Sequence, residues 1–303
     1  MRKSWGLIQE ITRFYTFHSP FRKGKYRLAS LAANFAGETP EEILTETFDG
    51  RKLLVNPAPF SYQTVYFLGE YERAVTEVIS KVVREGDVCL DIGANIGWYT
   101  TLLQKKVGAN GSVHAFEPMT HSYAALEKNV KLNSSFENIY LNNFALGDSE
   151  KEVEIFVFDN LPDGHASLSK FENREYESST VQMKTLDSYL KSGKVGNVNF
   201  VKADIEGAEL FMLEGAKKLF KQAVPPIWVI EMALGTTKGF DYLPNDLIEF
   251  IKSQSEYDFY AIDEINARLI KIEGFAADEI GANVLCVPKN QYRERLSELK
   301  IVG

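Results

Sequence analysis

Three short runs in this chain place acids and glycines where backbone and carboxylates together could hold a nucleoside and a cation. In the first, Val88-Cys89-Leu90-Asp91-Ile92-Gly93-Ala94-Asn95-Ile96-Gly97, an apolar stretch ends in an aspartate and then a G-x-x-x-G turn. The apolar stretch reads as a strand buried on both faces, and the glycines read as places where backbone comes close to a ligand while a helix starts. In the second, Val113-His114-Ala115-Phe116-Glu117-Pro118, the strand ends in Glu117, twenty residues beyond Gly97. A carboxylate at that distance can accept the protons of both ribose hydroxyls. The third run, Asn199-Phe200-Val201-Lys202-Ala203-Asp204-Ile205-Glu206-Gly207-Ala208-Glu209, is again an apolar strand closed by acids and a glycine ahead of a helical stretch.

The glycine spacing narrows the choice of cofactor. A dinucleotide turn is written G-x-G-x-x-G, so that amides at a helix N-terminus meet a pyrophosphate. Here the spacing is wider and Asp91 precedes it. An aspartate would repel a pyrophosphate but suits the ammonium group on the methionine moiety of S-adenosylmethionine. The expected chemistry is methyl transfer. The alternatives are a nicotinamide-dependent oxidoreductase on a related sheet and a non-catalytic cofactor-fold interaction module.

Together, Asp91 to Gly97 with Tyr99-Thr100, Phe116-Glu117-Pro118 and Asp204-Ile205-Glu206-Gly207-Ala208-Glu209 resemble the successive motifs of the FkbM family of S-adenosylmethionine-dependent methyltransferases. The resemblance runs from about Tyr66 to about Pro288, and the Asp204 to Glu209 segment is its most specific part. It implies a class I, Rossmann-like methyltransferase fold with a seven-stranded, mostly parallel sheet and helices on both faces. It also implies O-methylation of a hydroxyl on a sugar, glycan or natural-product or lipid acceptor. Two positions depart from the family pattern: Ala203 stands where isoleucine or valine is usual, and Met232-Ala233 follow Glu231 where a histidine is often found. The second departure argues against a histidine base after that strand.

Ligands of open parallel sheets bind beyond the carboxyl ends of the strands. Those ends are Asp91, Glu117, Asn143, Asp204 and Glu231. Carboxylates so crowded repel one another unless a cation sits among them, and the sulfonium cofactor would be that cation. The expected cofactor contacts are Asp91 and Asp204 at its amino group and Glu117 at its ribose. Asn143, Phe144 and Ala145 are expected at its adenine, and Gly93, Ala94, Asn95 and Gly97 through turn amides. Candidate bases for an acceptor hydroxyl are Asp204, Glu231, Glu206 and His165, the last in the loop Leu161-Pro162-Asp163-Gly164-His165. Glu206 and Glu209 read equally well as first-turn helix residues. No zinc-type ligand spacing occurs, so no metal ligand is assigned. A hard, oxygen-liganded divalent ion on these acids is the less favoured option. Tyr62, Tyr66, Phe67 and Tyr71 precede the core and read either as a cover over the cofactor or as packing.

Strands that alternate with helical stretches between residues 88 and 287 read as an α/β parallel sheet with helices on both faces. The strands are expected near 88–92, 113–117, 138–143, 198–203, 227–231, 258–262 and 283–287, and the helices near 70–83, 97–107, 120–132, 208–221 and 243–253. Strands inserted around 153–158 and 181–184 are joined by a polar loop. The expected division is a basic, aromatic helical extension over 1–45, a hairpin with a cap helix over 46–85, the methyltransferase domain over 86–290 and a tail over 291–303.

Charge is unevenly spread. Residues 1–27 carry a net charge of plus six within a chain of net charge minus eight. An acidic body is a poor match for a phosphate backbone, so nucleic acid is not an expected partner. The basic segment also holds Trp5, Phe14, Tyr15, Phe17, Phe21 and Tyr26. It reads first as a helix packed on the chain's own acidic core, and otherwise as a peripheral contact with an anionic membrane. The two cysteines, Cys89 and Cys286, lie in apolar runs and read as buried thiols, which suits a cytoplasmic setting.

Overall fold

A computed structural model describes residues 5–21, 23–35, 39–58, 60–133, 137–157, 166–167, 177–193, 195–276 and 279–302. The chain opens with two helices, α1 (Leu7–His18) and α2 (Lys25–Asn34), then a hairpin of β1 (Ile43–Glu46) and β2 (Lys52–Val55). Its turn passes through Gly50 at φ 82°, as the Asp-Gly pair demands. Helices α3 (Phe60–Leu68) and α4 (Arg73–Val82) follow. The Asp-Gly turn makes 46–68 read as an antiparallel entry region, and its second half is helical. Val65, Tyr66, Phe67 and Leu68 are all buried there, because α3 is covered on several sides.

The central elements alternate as their periodicity requires: β3 (Val88–Ile92), α5 (Trp98–Val107), β4 (Ser112–Phe116), α6 (Thr120–Asn133) and β5 (Ile139–Asn142). An inserted sheet comes next, made of β6 (Ala145–Leu146), β7 (Lys151–Val157), β8 (Ala166–Ser167) and β9 (Glu177–Lys184), with β7 antiparallel to β9. After α7 (Leu186–Leu190) the chain returns through β10 (Phe200–Ala203), α8 (Glu209–Glu214), β11 (Ile227–Ala233), α9 (Leu234–Thr237) and α10 (Pro244–Gln254). It closes with β12 (Tyr257–Asp263), β13 (Arg268–Ile272), β14 (Gly281–Pro288), α11 (Arg293–Leu296) and β15 (Ile301–Val302).

The main sheet has nine strands in the order β15-β13-β12-β14-β11-β10-β3-β4-β5, two more than the resemblance implies. The additions lie together at one edge. β13 forms a hairpin with β12, and the last residues, β15, pair parallel to β13. The run Arg268-Leu269-Ile270-Lys271-Ile272 is short and polar enough to pass for a loop, and only its pairing makes it a strand. The helix expected over 208–221 ends at Glu214. Gly215 caps it where an added Cβ would stand 2.0 Å from the Gly147 carbonyl oxygen, and a single 3-10 turn at Leu219–Lys221 continues the path.

Each sheet face buries its own core. Cys89, Phe200, Val229 and Leu285 pack toward α4, α5 and the amino-terminal helices, while Ile92, Ala203, Ile230 and Cys286 belong to the core that includes α8 and α10 residues. Both cysteines are free and fully buried. Among the described residues no helix is long and apolar enough to cross a membrane.

Candidate functional site

The register of the parallel strands decides which acids meet. Lys202 on β10 stands opposite Asp91 on β3 and Val229 on β11, and Glu231 stands opposite Asn283 on β14. Because strand side chains alternate, Asp91, Lys202, Glu231 and Asn283 share one face near the carboxyl ends of their strands. Beyond those ends lies a cavity. Its wall includes Gly93, Ala94, Asn95, Glu117, Phe144 and Ala145, and also Asp204 and Glu206. Four of the cofactor and base candidates assigned from sequence are off that wall: Asp91, Gly97, Asn143 and Glu231. His165 lies outside the described residues.

Glu117 is fixed by the backbone around it. Its Oε2 accepts the Asn95 N–H at 2.8 Å and its Oε1 accepts the Met119 N–H at 2.9 Å. Burial pushes its carboxyl up to about 7, against the pull of those two donors. Asn95 holds a left-handed conformation, φ 48°, and its Oδ1 accepts the Tyr62 hydroxyl at 2.7 Å. Such a conformation in a non-glycine residue needs support from its surroundings, and Glu117 and Tyr62 supply it.

The glycines also serve packing. A Cβ on Gly93 would stand 1.8 Å from the Asp204 carbonyl oxygen, so the turn after β3 and the turn after β10 touch through backbone alone. A Cβ on Gly97 would stand 2.7 Å from Leu126 of α6. Asn143 spends its amide on the carbonyls of Glu117 and Pro118, at 2.9 and 3.0 Å, and so braces the wall from outside.

Lys202 is the residue that sequence reasoning passed over. It is wholly buried, with its ammonium 3.0 Å from Asp204 Oδ2, 3.4 Å from Asn283 Oδ1 and 5.3 Å from the centre of the Tyr99 ring. Burial opposes its charge, but the attraction of Asp204, Glu72 and Glu231 outweighs burial and raises its pKa. A lysine between Val201 and Ala203 in an otherwise apolar strand is the signal that could have found it. The cation that crowded carboxylates require is therefore supplied, at least in part, by the chain itself.

Around Lys202 the acids are strained. Glu72, left-handed at φ 37°, accepts the Tyr99 hydroxyl at 2.5 Å, and burial lifts its carboxyl to about 7. Asp91 is 1% exposed. One of its oxygens accepts the Thr100 hydroxyl, the other has no partner, and burial lifts the group to about 6. Burial and the repulsion of Asp204, Glu209 and Glu206 push Glu231 far above the carboxylate range, and its Oε2 is buried without a partner. Glu209, fully buried, accepts the Ile205 N–H at 2.8 Å and closes the turn at the start of α8. Carboxylate oxygens of Asp204, Glu209 and Glu231 lie within 4.8 Å of one another.

The pre-core aromatics divide. Tyr66 and Phe67 are core residues, whereas Tyr62 and Tyr71 line the cavity beside Tyr99.

The sequence pattern of the methyltransferase FkbM domain matches residues 91–260, which span β3 to β12 and every strand-end acid named above. The chain belongs to the FkbM methyltransferase family. It is thus an enzyme of the S-adenosylmethionine-dependent methyltransferase kind. This FkbM-family chain is 27% identical over 203 residues to methyltransferase sdnD of Sordaria araneosa, covering 54% of this chain and 77% of that protein. It is 25% identical over 146 residues to methyltransferase 1 of Beauveria bassiana, covering 42% of this chain. It is also 27% identical over 144 residues to hexuronic acid methyltransferase AglP of Haloferax volcanii, covering 48% of this chain. The chain spans little more than half the length of the last two, 57% and 56%. Among solved structures it is similar to M. jannaschii TYW2 in complex with AdoMet, at 13% identity and a TM-score of 0.42 over 83% of this chain and 86% of that one.

Proposed function

We propose that this protein transfers the methyl group of S-adenosylmethionine to a hydroxyl on a sugar, glycan or natural-product or lipid acceptor. The observation that carries the reading is the character of the cavity wall. Among its described residues are Glu117, Asp204 and Glu206 with the phenols of Tyr62, Tyr71 and Tyr99, and none is Lys, Arg or His. Phenols and carboxylates suit a neutral polyhydroxyl acceptor. A phosphate backbone would meet repulsion instead, so nucleic acid stays outside the proposal. One relative is named a hexuronic acid methyltransferase; acceptor carboxylates would find no cation among the described residues of this wall, which favours a hydroxyl as the methylated group.

The residues fit the cofactor. Glu117 is held by two amides with lone pairs left for a ribose diol, Phe144 and Ala145 line an apolar wall for adenine, and Asp91 carries a buried oxygen without a partner. When bound, the sulfonium supplies an electrophilic methyl and a positive charge. Asp204 is the proposed proton acceptor for the hydroxyl, because it lines the cavity while Lys202 engages only its Oδ2. Glu206, left-handed at φ 57° on the same wall, is proposed to orient the acceptor. Glu231 lies behind the wall and is proposed to act through Lys202. A positioned base contributes on the order of 10² to 10⁴-fold in rate.

A second reading, a divalent cation on Asp204, Glu209 and Glu231, is favoured by the unpartnered oxygen of Glu231. Against it, Lys202 already neutralises Asp204, and the hydrogen bonds of Glu209 bind it to its own turn.

The test is tritiated methyl transfer from S-adenosylmethionine to polyhydroxyl acceptors, beside calorimetry with S-adenosylhomocysteine and with NADH. Label in an alkali-stable ether and binding of S-adenosylhomocysteine are expected. Binding of NADH alone, or label released as an ester, would remove the proposal.

A further inference from the structure

We infer that α1 and α2 lay this protein against an anionic membrane surface. The amphipathicity of α1 is inverted. Its inward face carries Gln9, Thr12 and Thr16, of which Gln9 donates to the Ala32 carbonyl at 2.7 Å and Thr16 donates to the Phe67 carbonyl. Its outward face carries Leu7, Ile8, Ile11, Phe14 and Tyr15, each at least half exposed. These positions recur at the spacing of one helical stripe. α2 repeats the arrangement: Ala29 and Ala32 turn inward, and Leu28, Leu31 and the following Phe35 stay exposed. Between the helices, Phe21 is 74% exposed. More than half of the exposed large apolar side chains in the described residues thus fall between residues 7 and 35. A soluble surface rarely concentrates them so.

The segment does pack on the rest of the chain, as the first reading of it expects, with Trp5, Ala29 and Ala32 joining the core. In α1 what packs is the polar side, through hydrogen bonds, and the apolar side is left for something else.

Charge selects the occupant. Residues 1–27 carry plus six while the whole chain carries minus eight. Lys23 and Arg27 are exposed in the same segment, whereas Lys25 is buried and Arg13 turns inward onto Thr45 and the Tyr66 carbonyl. An exposed apolar face on a segment of net positive charge is the pattern of a helix lying at the interface of a bilayer that contains anionic lipid. A second copy would bring plus six against plus six across a two-fold contact, which disfavours self-association. The acidic remainder is repelled by the same membrane, so the protein would dock by this end alone. This inference does not depend on which acceptor is methylated.

The experiment is sedimentation of the full chain with vesicles of phosphatidylcholine alone and of equal parts phosphatidylcholine and phosphatidylglycerol. Co-sedimentation is expected with the anionic vesicles only, and it should weaken in about 0.5 M salt, where charges are screened beyond roughly 4 Å. A variant carrying Ile11→Asp and Phe14→Asp should lose the vesicles by at least about tenfold in partitioning. It should keep wild-type binding of S-adenosylhomocysteine, because both side chains are exposed and outside the cavity. Equal sedimentation of wild type and variant, or none with anionic vesicles, overturns the inference. So does a concentration-dependent dimer in light scattering that the same two substitutions dissolve, since the face would then belong to a second copy.

Discussion

Glu117→Gln isolates the proposed ribose contact. In the wild type each carboxylate oxygen accepts one backbone N–H, from Asn95 at 2.8 Å and Met119 at 2.9 Å. Glutamine keeps one acceptor oxygen and turns an NH2 donor toward the other N–H. One buried donor then goes unpaired, at a cost of about 1–3 kcal/mol. Removing the carboxylate works the other way. A carboxyl raised from 4.5 to about 7 costs the folded state about 3 kcal/mol when it is ionised at pH 8. The two terms nearly cancel, so the free protein should melt close to wild type at pH 8. Cofactor binding has no such compensation. Loss of one charge-assisted hydrogen bond, about 1.5–3 kcal/mol, raises the Kd for S-adenosylhomocysteine by roughly 10- to 150-fold. Calorimetry at pH 8 reads the affinity and a thermal melt reads the fold. A folded variant whose Kd stays within about twofold of wild type refutes the placement of the ribose on Glu117.

Lys202→Met should destabilise the protein by about 3 kcal/mol at pH 8, because Asp204 loses the only cation paired with it among the described contacts. Paired denaturant melts of wild type and variant check this. Stability of the free wild type should fall as pH rises. The folded values of Glu72, Glu117 and Glu209 near 7, and of Asp91 near 6, lie above their unfolded values, so the folded state keeps protons that the unfolded state has released. Stability is then greatest below about 4 for these groups and declines up to about 7. A loss of at least about 3 kcal/mol between pH 5 and 7.5 is expected from denaturant melts; a flat or rising profile would contradict the burial of these acids. Methyl transfer should survive dialysis against EDTA, because Lys202 supplies charge at Asp204. Activity lost to EDTA and restored by magnesium would favour the divalent cation instead.

The acids at the strand ends, the alternation of strands with helices and the family were legible in the sequence. Each rests on local order: a buried parallel strand must be apolar, and a turn between strand and helix needs residues that tolerate its backbone. The strands around Asp91, Glu117 and Asp204 were found close to where they lie because their apolar runs are bounded by such turns. Only tertiary structure decided how the acids pair. Sequence spacing could not show that Gly93, which lines the cavity, also backs onto the Asp204 carbonyl, or that Gly97 meets Leu126. The need for a cation was readable from five crowded strand ends, but its identity as Lys202 was not, because strand register alone sets that lysine opposite Asp91. The edge strands β13 and β15 escaped for a similar reason, since their stability comes from pairing across the sheet rather than from their own residues. The outward apolar face of α1 was hidden too. Composition and periodicity give a helix its two faces, but which face turns inward depends on what packs against it, and here hydrogen bonds to Ala32 and Phe67 turn the polar one in.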